Sequence, residues 1–157
     1  MAIIHARVDE RLIHGQVAMV WTNTVGATRI VVVNDAAVKD EMIIAALKMA
    51  KPAGVKLSIL SKNRAIEKFA EKTYDGEKVF LITKNVGDMA ALVAAGVEIR
   101  AINVGNVAKH EGSRPIKKSV ELNDTDIAQI KEIIGKGIPV TAQMIPNESD
   151  QSILNYL

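Results

Sequence analysis

The chain has 157 residues, 48% hydrophobic and 24% charged, with 20 basic against 18 acidic side chains, three histidines and no cysteine. That length suits a single domain, 1–157, with a genuine core; the near-even charge gives no case for nucleic acid, and missing thiols exclude disulfides and thiolate chemistry. No stretch approaches the roughly 20 apolar residues that span a bilayer and no basic-then-apolar leader is present, so a cytoplasmic protein is expected.

Short apolar runs alternate with helical patterns along the chain. Strands are expected at 3–8, 29–33, 55–60, 78–83, 99–104 and 139–143, with a weaker one at 119–122. Between them, helical spacing places Val17, Val20, Trp21 and Val25 on one face of a first helix at 16–25. A second, at 39–51, uses Met42, Ile43, Ala46, Leu47 and Ala50 and stops before Pro52-Ala53-Gly54. Further helices are expected at 63–72 and 86–95. The last is introduced by Asn123-Asp124-Thr125-Asp126, carries the stripe Ile127, Ile130, Ile133, Ile134 and ends at Gly135-Lys136-Gly137. Continuously apolar strands such as Ile30 to Val33 belong in a sheet covered on both faces. The expected fold class is therefore α/β: a doubly wound, mainly parallel sheet with helices on both faces. Residues 105–118 show no helical period and read as a long loop.

In such sheets, sites form beyond the carboxyl ends of the strands. The first such turn has the strongest chemistry: Arg7-Val8-Asp9-Glu10-Arg11-Leu12-Ile13-His14-Gly15-Gln16. In an extended strand Arg7, Asp9 and Arg11 point to one side. Guanidinium forks hold phosphoryl oxygens bidentately, and an imidazole open to water is a nitrogen nucleophile. Asp9 can orient an arginine, or the ring of His14 through the nitrogen that does not react. Gly15 lets the backbone approach a bulky anion, and Gln16 begins a helical turn whose N–H groups lack internal partners. Phosphoryl transfer needs mainly positioning and charge stabilisation, so no metal or other cofactor is called for. The bland reading is a set of solvated strand-end bases and a polar surface histidine.

Arg7-x-Asp9-x-Arg11-Leu12-Ile13-His14-Gly15-Gln16-Val17 resembles the active-site loop of IIB components in the mannose/fructose/sorbose/N-acetylgalactosamine class of the bacterial sugar phosphotransferase system. The resemblance extends to Val32-Val33-Asn34-Asp35, Asn103-Val104-Gly105-Asn106-Val107, Glu111-Gly112, Ser119-Val120-x-Leu122 and Val140-x-x-Gln143-x-x-Pro146. It implies that His14 accepts a phosphoryl group on Nδ1 from an Nε2-phosphohistidine of a IIA partner and passes it to a sugar during uptake. Arg11 would be the phosphate-binding arginine, with Arg7, Asp9, Gly15 and Gln16 in binding or supporting roles. Membrane components IIC and IID would bind the sugar, and the protein would sit at the cytoplasmic side of that transporter. Its oligomeric state stays open, a homo-oligomer included. The sugar itself is not legible.

His5 reads as a satisfied strand histidine. His110, beside Lys109 and Glu111, reads as a surface residue that could line the crevice or meet a partner. Three dispersed histidines show no metal-ligand spacing. Asp35 after an apolar strand is similar to the phosphoacceptor of a receiver domain, but Asp9 and Glu10 offer that domain's acidic cluster only loosely, which makes a receiver-like switch a minor reading. Gly135-Lys136-Gly137 follows a helix and precedes a strand, the reverse of a phosphate loop. Arg114, Lys117 and Lys118 read as a solvated rim that could meet an acidic IIA surface. The rival function is a non-covalent binding or regulatory module for a phosphorylated small molecule. Roles for Asn34 and the 105–118 loop stay open.

Overall fold

A computed structural model describes residues 2–157. Six strands form one sheet: β1 (Ile3–Asp9), β2 (Arg29–Val33), β3 (Lys56–Leu60), β4 (Val79–Thr83), β5 (Ile102–Asn106) and β8 (Val140–Ala142). All pairs are parallel, in the order β3-β2-β4-β1-β5-β8. The helices are α1 (Gly15–Val25), α2 (Glu41–Ala50), α3 (Lys62–Ala70), α4 (Val86–Ala94) and α5 (Asp124–Gly135). Parallel strands are joined by right-handed crossovers, so the direction of travel across the sheet decides which face a helix covers. From β1 to β2 and on to β3 the chain moves one way, and α1 and α2 pack together on one face, with Ala18, Trp21 and Leu47 over Ile30, Val32, Phe80 and Ile82. From β3 to β4, β5 and β8 it moves back, and α3, α4 and α5 cover the other face, with Ala65, Met89, Leu92, Ile127 and Ile130 over Val8, Val31, Leu81 and Val104.

One consequence positions the site. On the first face α1 reaches β1 through Trp21, which stacks on His5, and toward β5 and β8 that face turns polar. There Arg7 pairs in register with Asn103, and Asn103 with Thr141, giving a polar row across three strands. The residues just after β8 lie over that row, where the Trp21 indole N–H donates to the Met144 carbonyl at 3.0 Å; the later 3-10 turn, Ile153–Tyr156, buries Ile153 in the core of the other face.

Helix starts follow their caps. Asp40 accepts from the N–H groups of Met42 and Ile43, so α2 begins at Glu41 rather than 39, behind a 3-10 turn at Ala37–Lys39. Ser61 and Asn85 cap α3 and α4, and Asn123 with Asp126 forms a reciprocal capping box on α5. Each such cap is worth about 1 kcal/mol. Two core faces differ from the expected ones. Met42 is 83% exposed and Ala46 faces outward, because α2 presents Leu47 inward with Ile43 and Ala50 beside it. Val20 is exposed on α1, where Ala18 and Thr22 join Trp21 inside.

Residues 105–118 are not the open loop their composition suggests. β5 runs on to Asn106, and an antiparallel hairpin of β6 (Arg114–Lys117) and β7 (Val120–Leu122) follows. Strands of four and three residues are too short to show a period. The hairpin is held from outside: Ser119 Oγ donates to the Gly105 carbonyl at 2.9 Å and Lys117 Nζ to the Ala142 carbonyl at 3.0 Å. Ile99 is buried in the turn ahead of β5, so its apolar character is packing and not strand.

Candidate active site

β1 ends at Asp9, and the chain turns at once: the Leu12 N–H donates to the Asp9 carbonyl at 2.9 Å, with Leu12 at φ 59° and Gly15 at φ 47°. Both values lie in the left-handed region, and open space surrounds the missing β carbon of Gly15. Glycine is therefore needed at 15 for its backbone angle and not for clearance. His14 occupies the N-cap position of α1 in extended conformation, with its side chain making no cap bond and no acidic residue in the first turn. The opening N–H groups of α1 thus face the site without a carboxylate competing for them. Gln16 is exposed beside them.

Asp9 is the hub. Its Oδ1 accepts the Arg11 backbone N–H at 2.9 Å, while Oδ2 lies 2.9 Å from His14 Nε2, 3.1 Å from Arg7 Nε and 3.0 Å from Arg7 Nη2. The carboxylate is almost fully buried, and its contacts, one to Oδ1 and three to Oδ2, replace the water it has lost. The ring of His14 is not broadly open to water as expected; it keeps 9% of its exposure. One edge is pinned to Asp9. The other nitrogen, Nδ1, has no protein partner and is not among the sealed polar atoms, which among the described residues are His5 Nε2 and Thr22 Oγ1.

The two arginines part company. Arg7 is buried and turned into the sheet, donating from Nη1 to Asn103 Oδ1 at 2.6 Å and to the Gln143 carbonyl at 3.0 Å, besides its contacts with Asp9. Nη2 also approaches Met144 Sδ at 3.7 Å, and Cζ sits 5.5 Å from the Trp21 ring. Burial lowers the proton affinity of this guanidinium and Asp9 restores part of it. With its donors directed at protein acceptors, Arg7 is engaged inside the fold. Arg11, which alternation places beside Arg7, lies in the turn beyond the strand; it is exposed, and among the described residues its guanidinium has no ion-pair or hydrogen-bond partner.

The remaining candidates are tied elsewhere. Asn34 accepts the Ala37 N–H at 2.9 Å and donates to Asp88 at 3.4 Å. Asp35 accepts the Lys62 N–H at 2.7 Å, at the start of α3. His110 bridges the Ala108 carbonyl at 2.9 Å and Asp126 at 2.7 Å, both of which favour its protonated form, so it braces the hairpin against α5. Lys117 is half-buried and paired with Glu148 at 3.0 Å, more staple than solvated rim. His5 is not a satisfied histidine: Nε2 is sealed without a partner, and its ring stacks on Trp21 at 4.5 Å between centroids. No group of three or more metal-ligating side chains gathers among the described residues. Sequence reasoning gave no role to Asn103 and Gln143; the available signal was polar residues at the alternating positions of otherwise apolar strands.

The family model for the sorbose-subfamily IIB component of the phosphotransferase system matches residues 3–157. The chain belongs to that family. It is 33% identical to the sorbose-specific EIIB component of Klebsiella pneumoniae, over 100% of this chain and 96% of the relative. The crystal structure of the IIB domain of the sorbose permease from Klebsiella pneumoniae superposes with a TM-score of 0.94 at 33% identity, covering 99% of this chain and 96% of that one. The mannose-specific EIIAB component of Escherichia coli K12 is 31% identical over 100% of this chain but only 49% of its own length. The chain thus aligns with about half of a protein in which IIA and IIB functions are joined. IIB components are phosphotransferases that work with IIA and with a membrane IIC component. Among the described residues, no helix here is long and apolar enough to cross a membrane.

Proposed function

We propose that this IIB component carries a phosphoryl group on Nδ1 of His14. The observation that bears most weight is the 2.9 Å contact between Asp9 and Nε2, which holds the ring proton on that nitrogen and leaves the Nδ1 lone pair free. Nδ1 attacks the phosphorus of a phosphohistidine on IIA; the donor N–P bond breaks as the new one forms. Arg11 supplies the mobile guanidinium for the non-bridging oxygens, and the N–H groups of Gly15 and Gln16 at the start of α1 supply fixed dipoles. Asp9 stabilises the imidazolium character that develops on the ring. In the second step a sugar hydroxyl oxygen attacks the phosphorus, the Nδ1–P bond breaks to return neutral His14 with its proton on Nε2, and the hydroxyl proton passes to solvent.

The chain works in this reading as one folded unit, 1–157, on the cytoplasmic side of a transporter whose IIC and IID components hold the sugar. Sorbose and mannose both appear in the names of relatives at 31–33% identity, so the motif assigns the relay and not the sugar. The test is His14→Ala, incubated with phosphoenolpyruvate and the upstream carriers. Wild type should gain one acid-labile, base-stable phosphate by mass, and the folded variant none. Label retained in the variant sinks the assignment.

A further inference from the structure

The pairing of β1 with β5 breaks register beside the site. Arg7 opposes Asn103 and Val8 opposes Val104, but Asp9 opposes Asn106, so Gly105 is an extra residue. Such bulges re-aim side chains next to functional sites. Here the geometry is unusually specific. A β carbon on Gly105 would fall 2.0 Å from Arg7 Cζ and 2.2 Å from both Nη1 and Nη2. Near-equal distances to three guanidinium atoms mean that the planar group lies flat on the bare backbone of Gly105. This glycine does not have the left-handed angle found at Gly15; it is required for space alone.

The rim of the same seat fixes the rotation of the fork. Asn103 Oδ1 takes one Nη1 proton at 2.6 Å and the Gln143 carbonyl takes another at 3.0 Å. The Asn103 amide is fixed in turn, donating to the Gln143 carbonyl at 3.1 Å and Thr141 Oγ1 at 3.4 Å. With the guanidinium held underneath and on one side, its remaining edge, Nε and Nη2, can only face Asp9. Asp9 in turn faces His14 Nε2.

We propose that Gly105, Asn103 and the Gln143 main chain form a seat for Arg7 that sets the tautomer and aim of His14 through Asp9. These are positioning residues: none reaches the phosphoryl group, and each acts through the next. The proposal rests on His14 being the carrier, but its primary readout does not need phosphate. Nitrogen-15 NMR of the unphosphorylated full chain should show His14 as the single Nε2–H tautomer in wild type and as a mixture in Gly105→Ala. Transfer from phosphoenolpyruvate through the upstream carriers should fall about 10- to 100-fold, the loss typical of removing a partner that orients a histidine.

Asn103→Leu guards against a fold defect, since it removes the acceptor without adding a β carbon under Arg7; it should shift the tautomer in the same direction, less far. Asn103→Asp keeps an acceptor for Nη1 but loses the NH₂ that donates to the Gln143 carbonyl and Thr141, so it should recover the tautomer and the rate only in part relative to Asn103→Leu. A folded Gly105→Ala or Asn103→Leu protein with wild-type tautomer and rate overturns the seat. So does a wild-type chain already showing mixed tautomers. Absence of label on a wild-type His14 with the locked tautomer strikes the carrier reading alone.

Discussion

One face of this sheet carries two unlike surfaces. Over β3, β2 and β4 it is apolar, with Ile30, Val32, Phe80 and Ile82 sealed beneath α1 and α2. Over β1, β5 and β8 it is polar, with Arg7, Asp9, Asn103 and Gln143 buried under a stretch of irregular chain. Both halves are inside the protein, but different forces hold them. In the first, apolar area removed from water stabilises the packing without regard to direction. In the second, charges survive burial only through donors and acceptors at fixed angles. The apolar half can tolerate small displacements and remain a core. The polar half cannot, and that rigidity is what a phosphoryl carrier needs around its histidine.

The sharpest way to break this contrast is Asp9→Asn. The amide can turn its NH₂ toward His14 and leaves Arg7 without its counter-ion. Transfer should fall by at least about 100-fold, within the ~10⁴ known for a carboxylate that holds a histidine tautomer. Single-turnover labelling from the upstream carriers measures it; a rate within twofold of wild type would show that the hub is unnecessary.

Ile30→Ala is the complementary change in the apolar half. Ile30 is fully buried, and truncation should cost about 2–5 kcal/mol in denaturant unfolding. Labelling per folded molecule should stay at the wild-type level. A loss of labelling equal to that of Asp9→Asn would mean that the two halves are one coupled unit.

The same contrast explains what was legible in the sequence. Strands covered by helices on both faces announce themselves, so Ile30–Val33 and Val79–Thr83 lie where their apolar runs place them. The expected strand 99–104 stops two residues short of the end of β5 because Gly105 and Asn106 read as the start of a loop; they continue the strand in extended conformation. At the site, the spacing from Asp9 to His14 allowed the observed contact, and the motif pointed to the ring. The turn of Arg7 into the sheet could not be read, because its acceptors lie 96 and 136 residues further along the chain. A strand pattern says which side a residue faces, not whether that side is a crevice or a seat. Gly105 illustrates the point: nothing local demands a glycine there, and its reason is a guanidinium from another strand.

His5 stands on the border between the halves and gives the subtlest test. Its ring stacks on Trp21 and lies 5.1 Å from Phe80 on the apolar side, with Arg7 next on its own strand face. Burial, reinforced by the Arg7 charge, lowers its pKa from 6.5 to about 4. The folded protein therefore refuses a proton that the unfolded chain accepts. Stability linked to His5 is fully present above about pH 6.5 and is lost as pH falls toward 4, by about 2–3 kcal/mol over that window. His5→Phe keeps a ring for the stack and removes the titration. Denaturant unfolding at pH 7 and pH 4.5 should show wild type losing about 2 kcal/mol more than the variant. Comparing the two proteins cancels His110, whose raised pKa works in the opposite sense, its contribution present below its ordinary value and lost as pH rises. Equal losses in the two proteins would mean that a proton reaches His5 in the folded state, and that the border between the halves is wetter than its sealed Nε2 implies.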